Sequence, residues 1–410
     1  MRITDIEAHP ITLEFNDWHA DALMHFHGSS GLQRSIFIAH TDTGLEGLGE
    51  GRATPEMVEQ YIGTDPFDWI DDTTSLALGK AMYDLMGKHL GIPAHKLFGK
   101  RVRAWVPLGS WTVSQAPAAM AEEVRRFSDM GYTWMKYHTT PFQNVLEQTA
   151  AMQEVAPPGF KVHYDFNGGR TNDDILGLIR QLATFPIAGM VEDVMNQADL
   201  EGHRLLCEKS PLPVLLHGLA FDGMRELQAE AADGYILGNS PIGEQMRRAG
   251  LLAGFARPFL IQNGGGAMTL SFLTQLSSTF PTATLPHYTD ANVWKSDVVK
   301  ERFEVVRGYM KVPEKPGLGV TLDRDELERL KSLPMPICPP FIVRCHYAGG
   351  RTLHFMHDPE EARNFLCIPD LASMPQCGYA DPVETEYWDD DGSEEFRSML
   401  AQCREGPVWT

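Results

Sequence analysis

The sequence predicts an α/β protein in which a closed parallel barrel carries a smaller α+β domain. Three observations lead there. Strand-like runs end at Ser110, Tyr137, Asp165, Glu192, His217, Gly238, Asn263 and His287, at intervals between 20 and 30 residues, the length of one βα unit. Helix-like stretches fill the gaps, at Ala118–Met130, Asn144–Val155, Asp173–Leu182, Leu200–Glu208, Asp222–Ala231, Gly243–Phe255 and Thr269–Ser277. The first hundred residues break this rhythm and read as strands followed by helices. Eight strands with seven intervening helices close into a barrel more naturally than they open into a sheet.

In chain order, Ser35–His40 and Leu45–Gly51 alternate as strands around Asp42-Thr43-Gly44, a hairpin turn signal. Ser75–Leu90 has helical periodicity, with Leu76, Leu78, Ala81, Met82, Leu85 and Met86 on one broad face, and Gly91-Ile92-Pro93 stops it. Beyond the barrel repeat, Ser296–Val312 and Asp325–Lys331 read as helices, and Pro316-Gly317-Leu318-Gly319 as a turn into a short strand. The resulting division is 1–104 for the α+β part, 105–312 for the barrel, and 313–410 for a returning segment plus an appended tail. The tail from Pro334 is rich in proline and acid but too aromatic for disorder, so it packs on the core or on a neighbouring subunit.

Composition narrows the function classes. With 35 basic against 55 acidic residues, the formal charge is −20, which repels phosphate backbones and anionic membrane surfaces. An anionic small substrate then needs local positive charge. No apolar run approaches a membrane span, and no signal-like segment precedes the first strand, so the expectation is a cytoplasmic protein. The six cysteines, at 207, 338, 345, 367, 377 and 403, contain no CxxC pair. A zinc site with His346, His354 or His357 has the wrong spacing, and free thiols are the reading.

The chemistry sits at the strand ends. Lys136, His138, Asp165 and Glu192 occupy successive ends, and a parallel barrel delivers such side chains into one mouth. Together they can hold a divalent cation and move a proton. His138 is the candidate base, because a neutral imidazole is available near pH 7. His287 is a candidate acid for a leaving group. Asn263 takes up no proton but can donate a hydrogen bond to substrate. His217 offers a softer metal ligand or, with Lys136, a positive clamp on a carboxylate. A plainer reading ties Asp165 and Glu192 into a salt bridge with Lys136. Gly264-Gly265-Gly266 is either a flexible loop or a close backbone approach to ligand. Asp389-Asp390-Asp391 reads as a solvated loop.

Thr41–Glu50, Ala81–Pro93, Lys136-Tyr137-His138, Asp165-Phe166-Asn167-Gly168, Glu192-Asp193 and Pro316–Gly319, in this order and spacing, resemble the enolase superfamily in its mandelate racemase and muconate-lactonizing branch. The resemblance covers about residues 1–333. It implies a modified (β/α)8 TIM-type barrel, (β/α)7β, with an α+β N-terminal capping domain, and a homo-oligomer. It also implies abstraction of a proton next to a carboxylate, giving an enediolate held by Mg2+. Sites of this superfamily pair a Lys or His base with metal stabilisation of the new charge. Asp165 and Glu192 match the first two metal ligands, with Asn167 just beyond, whereas Gly218 stands where a third carboxylate belongs. Lys136 matches the first lysine of a Lys-x-Lys motif, and His138 replaces the second, the usual base. Gly238-Asn239 and Asn263 stand where a His–Asp dyad would be, which disfavours a two-base racemase. The segment 16–30, with Trp18 and His25, matches a loop that caps the site and contacts substrate. The expected activity is that of a lyase or isomerase on a hydroxy-carboxylate, acid-sugar dehydratase-like. The alternative is a non-catalytic or metal-independent relative that binds a small carboxylate.

Overall fold

The computed structural model describes residues 1–168, 174–219, 223–356 and 378–410. The capping domain is a three-stranded antiparallel sheet of Ile3–Glu14, Gly31–Thr41 and Glu46–Gly51, paired in that order. The helix Leu76–Leu90 packs on this sheet. Ser75 caps its start by accepting the Leu78 N–H, and Gly91, at φ 67°, ends it in the left-handed region. Asp84 explains why the motif around it reads so clearly. Its buried carboxylate accepts the N–H groups of Leu48 and Leu318 and the Lys88 ammonium, tying sheet, helix and the Pro316–Gly319 turn together. Gly87 and Gly317 meet there so closely that a Cβ on Gly87 would lie 2.6 Å from the Gly317 Cα.

The barrel consists of seven parallel strands in chain order: Ser110–Val113, Trp134–His138, Lys161–Asp165, Ala188–Glu192, Val214–His217, Gly234–Leu237 and Phe259–Ile261. The eighth position is a short stretch whose bridges Leu108↔His287 and Gln262↔Tyr288 close the sheet into a ring. Residues one apart on each strand face opposite ways. Met135, Tyr137, Val162, Tyr164 and Val191 therefore pack outward with helix residues such as Val124, Met152 and Ile179. Lys136, His138, His163, Asp165 and Glu192 turn inward. Below them, Met190, Leu215, Ile236, Leu260 and Tyr288 form an apolar layer.

The helices follow the predicted series; the first residues of those at Asp173–Leu182 and Asp222–Ala231 lie partly outside the described residues, which show Ile175–Leu182 and Met224–Ala229. Ser296–Val312 is not a helix. Val305–Val306 and Tyr309–Lys311 form a hairpin that adds to Trp105–Pro107. Its two-residue turn, Arg307-Gly308, has both φ values positive, 51° and 79°, the conformation a tight hairpin requires.

The tail folds on the core rather than trailing from it. Pro382–Asp389, Phe341–Tyr347, Thr352–Met356 and Val408–Trp409 form a four-stranded sheet in that order, backed by the helix Glu394–Cys403. It grips the loops after the second and third barrel strands: Phe355 stacks on Phe142, the Tyr379 hydroxyl donates to the Phe166 carbonyl, and Asn144 donates to the Ala380 carbonyl. Asp390 and Asp391 lie exposed in a loop, whereas Asp389, also exposed, ends a strand and pairs with His25 at 2.9 Å. Cys207, Cys338, Cys345 and Cys403 are free thiols, while His357, Cys367 and Cys377 lie outside the described residues. No helix among the described residues is long and apolar enough to cross a membrane.

Candidate active site

Strand register brings the expected residues to one level. His138 sits opposite Asp165, and Asp165 opposite Glu192, across neighbouring strands. At the centre lies Lys136, fully buried, with Nζ 2.9 Å from Asp165 Oδ2 and 2.6 Å from both Glu192 Oε2 and Gln262 Oε1. The salt-bridge reading of this trio is therefore what the geometry shows. Burial pulls the lysine pKa down, but Asp165 and Glu192 outweigh it and hold Lys136 charged, above the ordinary lysine range.

Glu192 collects more partners than the sequence suggested. His163, two residues before Asp165 on the same strand, puts Nε2 2.8 Å from Oε2, and His217 puts Nδ1 3.1 Å from Oε1. Burial alone would favour the protonated acid; Lys136 and the two histidines reverse this and hold Glu192 well below the usual carboxylate range. His217 moves the other way: burial opposes its charge, but Glu192 lifts its pKa. His163 was missed, although an inward position two residues from Asp165 on one strand was a usable signal.

His138 stands apart. Its Nε2 lies 3.2 Å from Asp165 Oδ2, and its ring meets Phe26 and Trp111 edge-on at 5.7 and 5.5 Å. Burial lowers its pKa to about 4 against the attraction of Asp165, so the imidazole is neutral at pH 7. His138 lines a cavity of about 200 Å³ together with His27, Trp111, Gln262, Asn263 and Tyr288. Lys136, Asp165, Glu192 and His217 do not line it and act from behind its wall.

Other expected residues fall elsewhere. Trp18 stacks on His19 and lies under Arg126, on the outer side of the barrel, and His25 stacks on Tyr387 of the tail; His27 is the member of this segment that reaches the cavity. The segment is a helix, Ala20–His27, so its side chains diverge around an axis instead of converging as a loop's can. His287 is fully buried, accepts the Ile261 N–H on Nδ1 and does not line the cavity. Its neighbour Tyr288 does. Asn263 lines the cavity while its Oδ1 accepts the Asn239 N–H. The glycine run offers no free N–H groups to a ligand: Gly264, Gly265 and Gly266 donate to Asn239, Asp290 and Glu50.

The magnesium site implied by the resemblance does not fit this arrangement. Lys136 Nζ already bridges Asp165 and Glu192, and Asn167 turns its own N–H back onto Asp165 Oδ1 at 2.9 Å. Gly218, at φ 86°, carries no side chain where the resemblance expects a third carboxylate, and nothing lies within 4 Å of where its Cβ would stand. Among the described residues, the group that could hold a divalent ion is Glu192, Asp193 and His217, whose ligand atoms lie within 4.8 Å of one another. Burial, with Glu192 and Asp165 nearby, raises the Asp193 pKa to about 7. Two carboxylates and an imidazole suit manganese, iron or zinc better than magnesium.

A family profile described as enolase C-terminal domain-like matches residues 119–326. The chain belongs to the enolase superfamily. Its barrel, capping domain and mandelate racemase-like strand-end pattern agree with that placement. It is similar to the D-xylonate dehydratase of Haloferax volcanii, 25% identical over 367 residues, covering 70% of this chain and 83% of the relative. Among solved structures, the N-succinyl Arg/Lys racemase of Bacillus cereus matches with a TM-score of 0.68 at 21% identity, covering 82% of this chain and 100% of that one. An enolase from Thermobispora bispora, complexed with magnesium and formate, matches with a TM-score of 0.67 at 19% identity, covering 81% and 92%. These similarities support dehydratase or isomerase chemistry in general terms.

Proposed function

We propose that this superfamily member is a lyase or isomerase that removes the α-proton of a hydroxy-carboxylate, most closely resembling an acid-sugar dehydratase. The observation that carries the reading is His138, a neutral imidazole on the wall of an aromatic cavity, backed by Asp165 at 3.2 Å. An α-proton beside a carboxylate is a very weak acid, so removing it requires fixed positive charge and hydrogen-bond donors near the developing enediolate. Lys136 supplies the charge from behind the wall while keeping Glu192 ionised. Gln262, whose Oε1 accepts from Lys136, lines the cavity, and an amide side chain there can donate to the developing charge. Once His138 takes the proton, Asp165 stabilises the imidazolium.

Asn263 cannot serve as a second base, which favours a one-base course such as syn-elimination of water or cycloisomerisation. A divalent ion, held by Glu192, Asp193 and His217, would add positive charge against the substrate carboxylate. The metal-independent reading gains specific support from Lys136, a resident cation between the two carboxylates that the resemblance assigned to metal.

The test is a panel of acid sugars and other hydroxy acids in deuterated water, with and without divalent cations. The expected result is α-proton exchange or dehydration that His138→Ala reduces by about 10²–10⁴-fold. Full turnover by His138→Ala would overturn the assignment.

A further inference from the structure

The cavity around His138 has to accept a carboxylate, yet among the described residues no lysine or arginine lines it. The cations beside it are already matched. Lys136, behind the wall, stands between two carboxylates, Asp165 and Glu192. Arg34, behind the rim, stands between Glu50 at 2.8 Å and Asp290 at 2.9 Å. In a chain of net charge −20, the long-range field does not draw an anion in. Two of the lining side chains, His27 and His138, can become cationic, and His138 has to stay neutral to serve as the base. That leaves His27.

Three aromatic rings hold the His27 ring in place: Phe15 stacked at 5.7 Å, Phe26 edge-on at 5.1 Å and Trp111 tilted at 6.2 Å. These contacts fix its plane and use neither nitrogen, and neither nitrogen makes a hydrogen bond within the described residues. A polar group inside a protein is normally partnered, so an imidazole that is rigidly held and open to a cavity is set for a ligand. Burial, with His138 adding to it, lowers the His27 pKa to about 4, so the ring is neutral at pH 7 without a ligand. The titratable groups around it offer no free negative charge. His19, lowered to about 3 chiefly by burial, is neutral; His25 turns to Asp389 of the tail; Asp290 is held by Arg34. An entering carboxylate brings the opposite charge that the ring lacks, and opposite charge favours the protonated form. His27 also sits in the last turn of its helix, whose negative pole favours a cation.

We propose that His27 binds the carboxylate of the hydroxy acid and takes up a proton from solvent as that acid enters, so that the missing cation is made on binding instead of being held in advance. The inference rests on the proposed function and deepens it: the protonated His27 faces the carboxylate while the neutral His138 faces the α-proton. Affinity for the acid then falls as pH rises, because fewer protons are available to accompany it. In kinetics this dependence falls on KM, since a saturating substrate keeps the His27 ring charged.

The test uses 2-hydroxyisobutyrate, a hydroxy acid that has no α-proton and therefore binds without reacting, and its neutral amide. Calorimetry in PIPES and in Bis-Tris, two buffers of different ionisation enthalpy, counts the protons exchanged on binding at pH 6.5. The expected result for the acid is uptake of about one proton, with binding that weakens at least about tenfold from pH 6 to pH 8. The amide binds without uptake. In His27→Gln the uptake disappears and binding of the acid at pH 6.5 weakens at least about fivefold. Where that variant loses the wild-type circular dichroism, the wild type is read directly by nuclear magnetic resonance with labelled histidine ring carbons. The signal that moves to the imidazolium position on adding the acid must then show cross-relaxation with the Phe15 ring. No binding of the acid by wild type, binding without uptake, uptake that persists in folded His27→Gln, or movement only of a histidine without that contact overturns the inference. The α-proton exchange assay on the same wild-type protein keeps the two readings apart. Exchange without proton uptake overturns the role of His27 and leaves the lyase or isomerase reading intact. Uptake that depends on His27, with no exchange of any hydroxy acid, supports that role and counts against the lyase or isomerase reading.

Discussion

Replacing Lys136 by methionine is the sharpest perturbation of this site, because it removes the cation and keeps the aliphatic volume. The ammonium lies 2.9 Å from Asp165 and 2.6 Å from Glu192, and all three groups are buried. At an effective dielectric of about 20, each contact is worth roughly 6 kcal/mol of attraction. Burying the three charges costs several kcal/mol per ion, so the net loss on removing one partner is expected at about 3–5 kcal/mol. Urea denaturation of wild type and Lys136→Met at pH 7.5 measures it.

The pH dependence carries the stronger test. In the wild type, Glu192 is held below its ordinary pKa, so its contribution is present above pH 4.5 and lost as pH falls through the folded value. In Lys136→Met the cation is gone, and burial, which raises the pKa of Glu192, is no longer outweighed by it. The variant's native state then takes up protons as pH falls from 7.5 to 5, and the gap to wild type narrows. Adding Glu192→Gln to Lys136→Met should restore part of the lost stability at pH 7.5, since one unpaired charge disappears. A loss below about 1 kcal/mol at pH 7.5, or one that grows toward pH 5, would refute the reasoning.

Three further expectations follow from the geometry. The His138 pKa of about 4 predicts that the rate of α-proton exchange stays flat from pH 6 to 8 and falls only as pH approaches 4; a profile breaking near pH 6.5 would mean that the base is a more exposed histidine. Competition with a chromogenic chelator should show Mn2+ or Zn2+ binding more tightly than Mg2+, with His217→Ala removing the difference, because an imidazole replaces the third carboxylate. His25, whose partners Asp389 and Asp21 overcome burial and raise its pKa, contributes stability that is complete below pH 6.5 and lost as pH rises through its folded value; limited proteolysis of the tail should therefore be faster at pH 9 than at pH 6, and Asp389→Asn should abolish that difference.

What the sequence disclosed and what it withheld divide along the reach of the interactions involved. Barrel strands are short and buried on both faces, so their spacing and the polar residue closing each one are written locally. Lys136, His138, Asp165 and Glu192 were found for that reason, and register then placed them side by side. His163 follows the same two-residue rule and was within reach. Gln262 and Asp193 were not, because their roles depend on partners 126 and 24 residues away, Lys136 and His217. The helix over Ser296–Val312 failed where a local signal was present but outweighed: Arg307-Gly308 marks a tight hairpin, and its pairing partner, Trp105–Pro107, lies about two hundred residues earlier. The tail shows the same dependence. Asp389 looks like any acidic loop residue until His25, 364 residues earlier, is brought against it. That contact fixes one end of the helix Ala20–His27, on which His27 lines the cavity and Phe26 meets the His138 ring edge-on. The tail thus reaches the chemistry by holding the capping segment in place, although none of its described residues lines the cavity around His138.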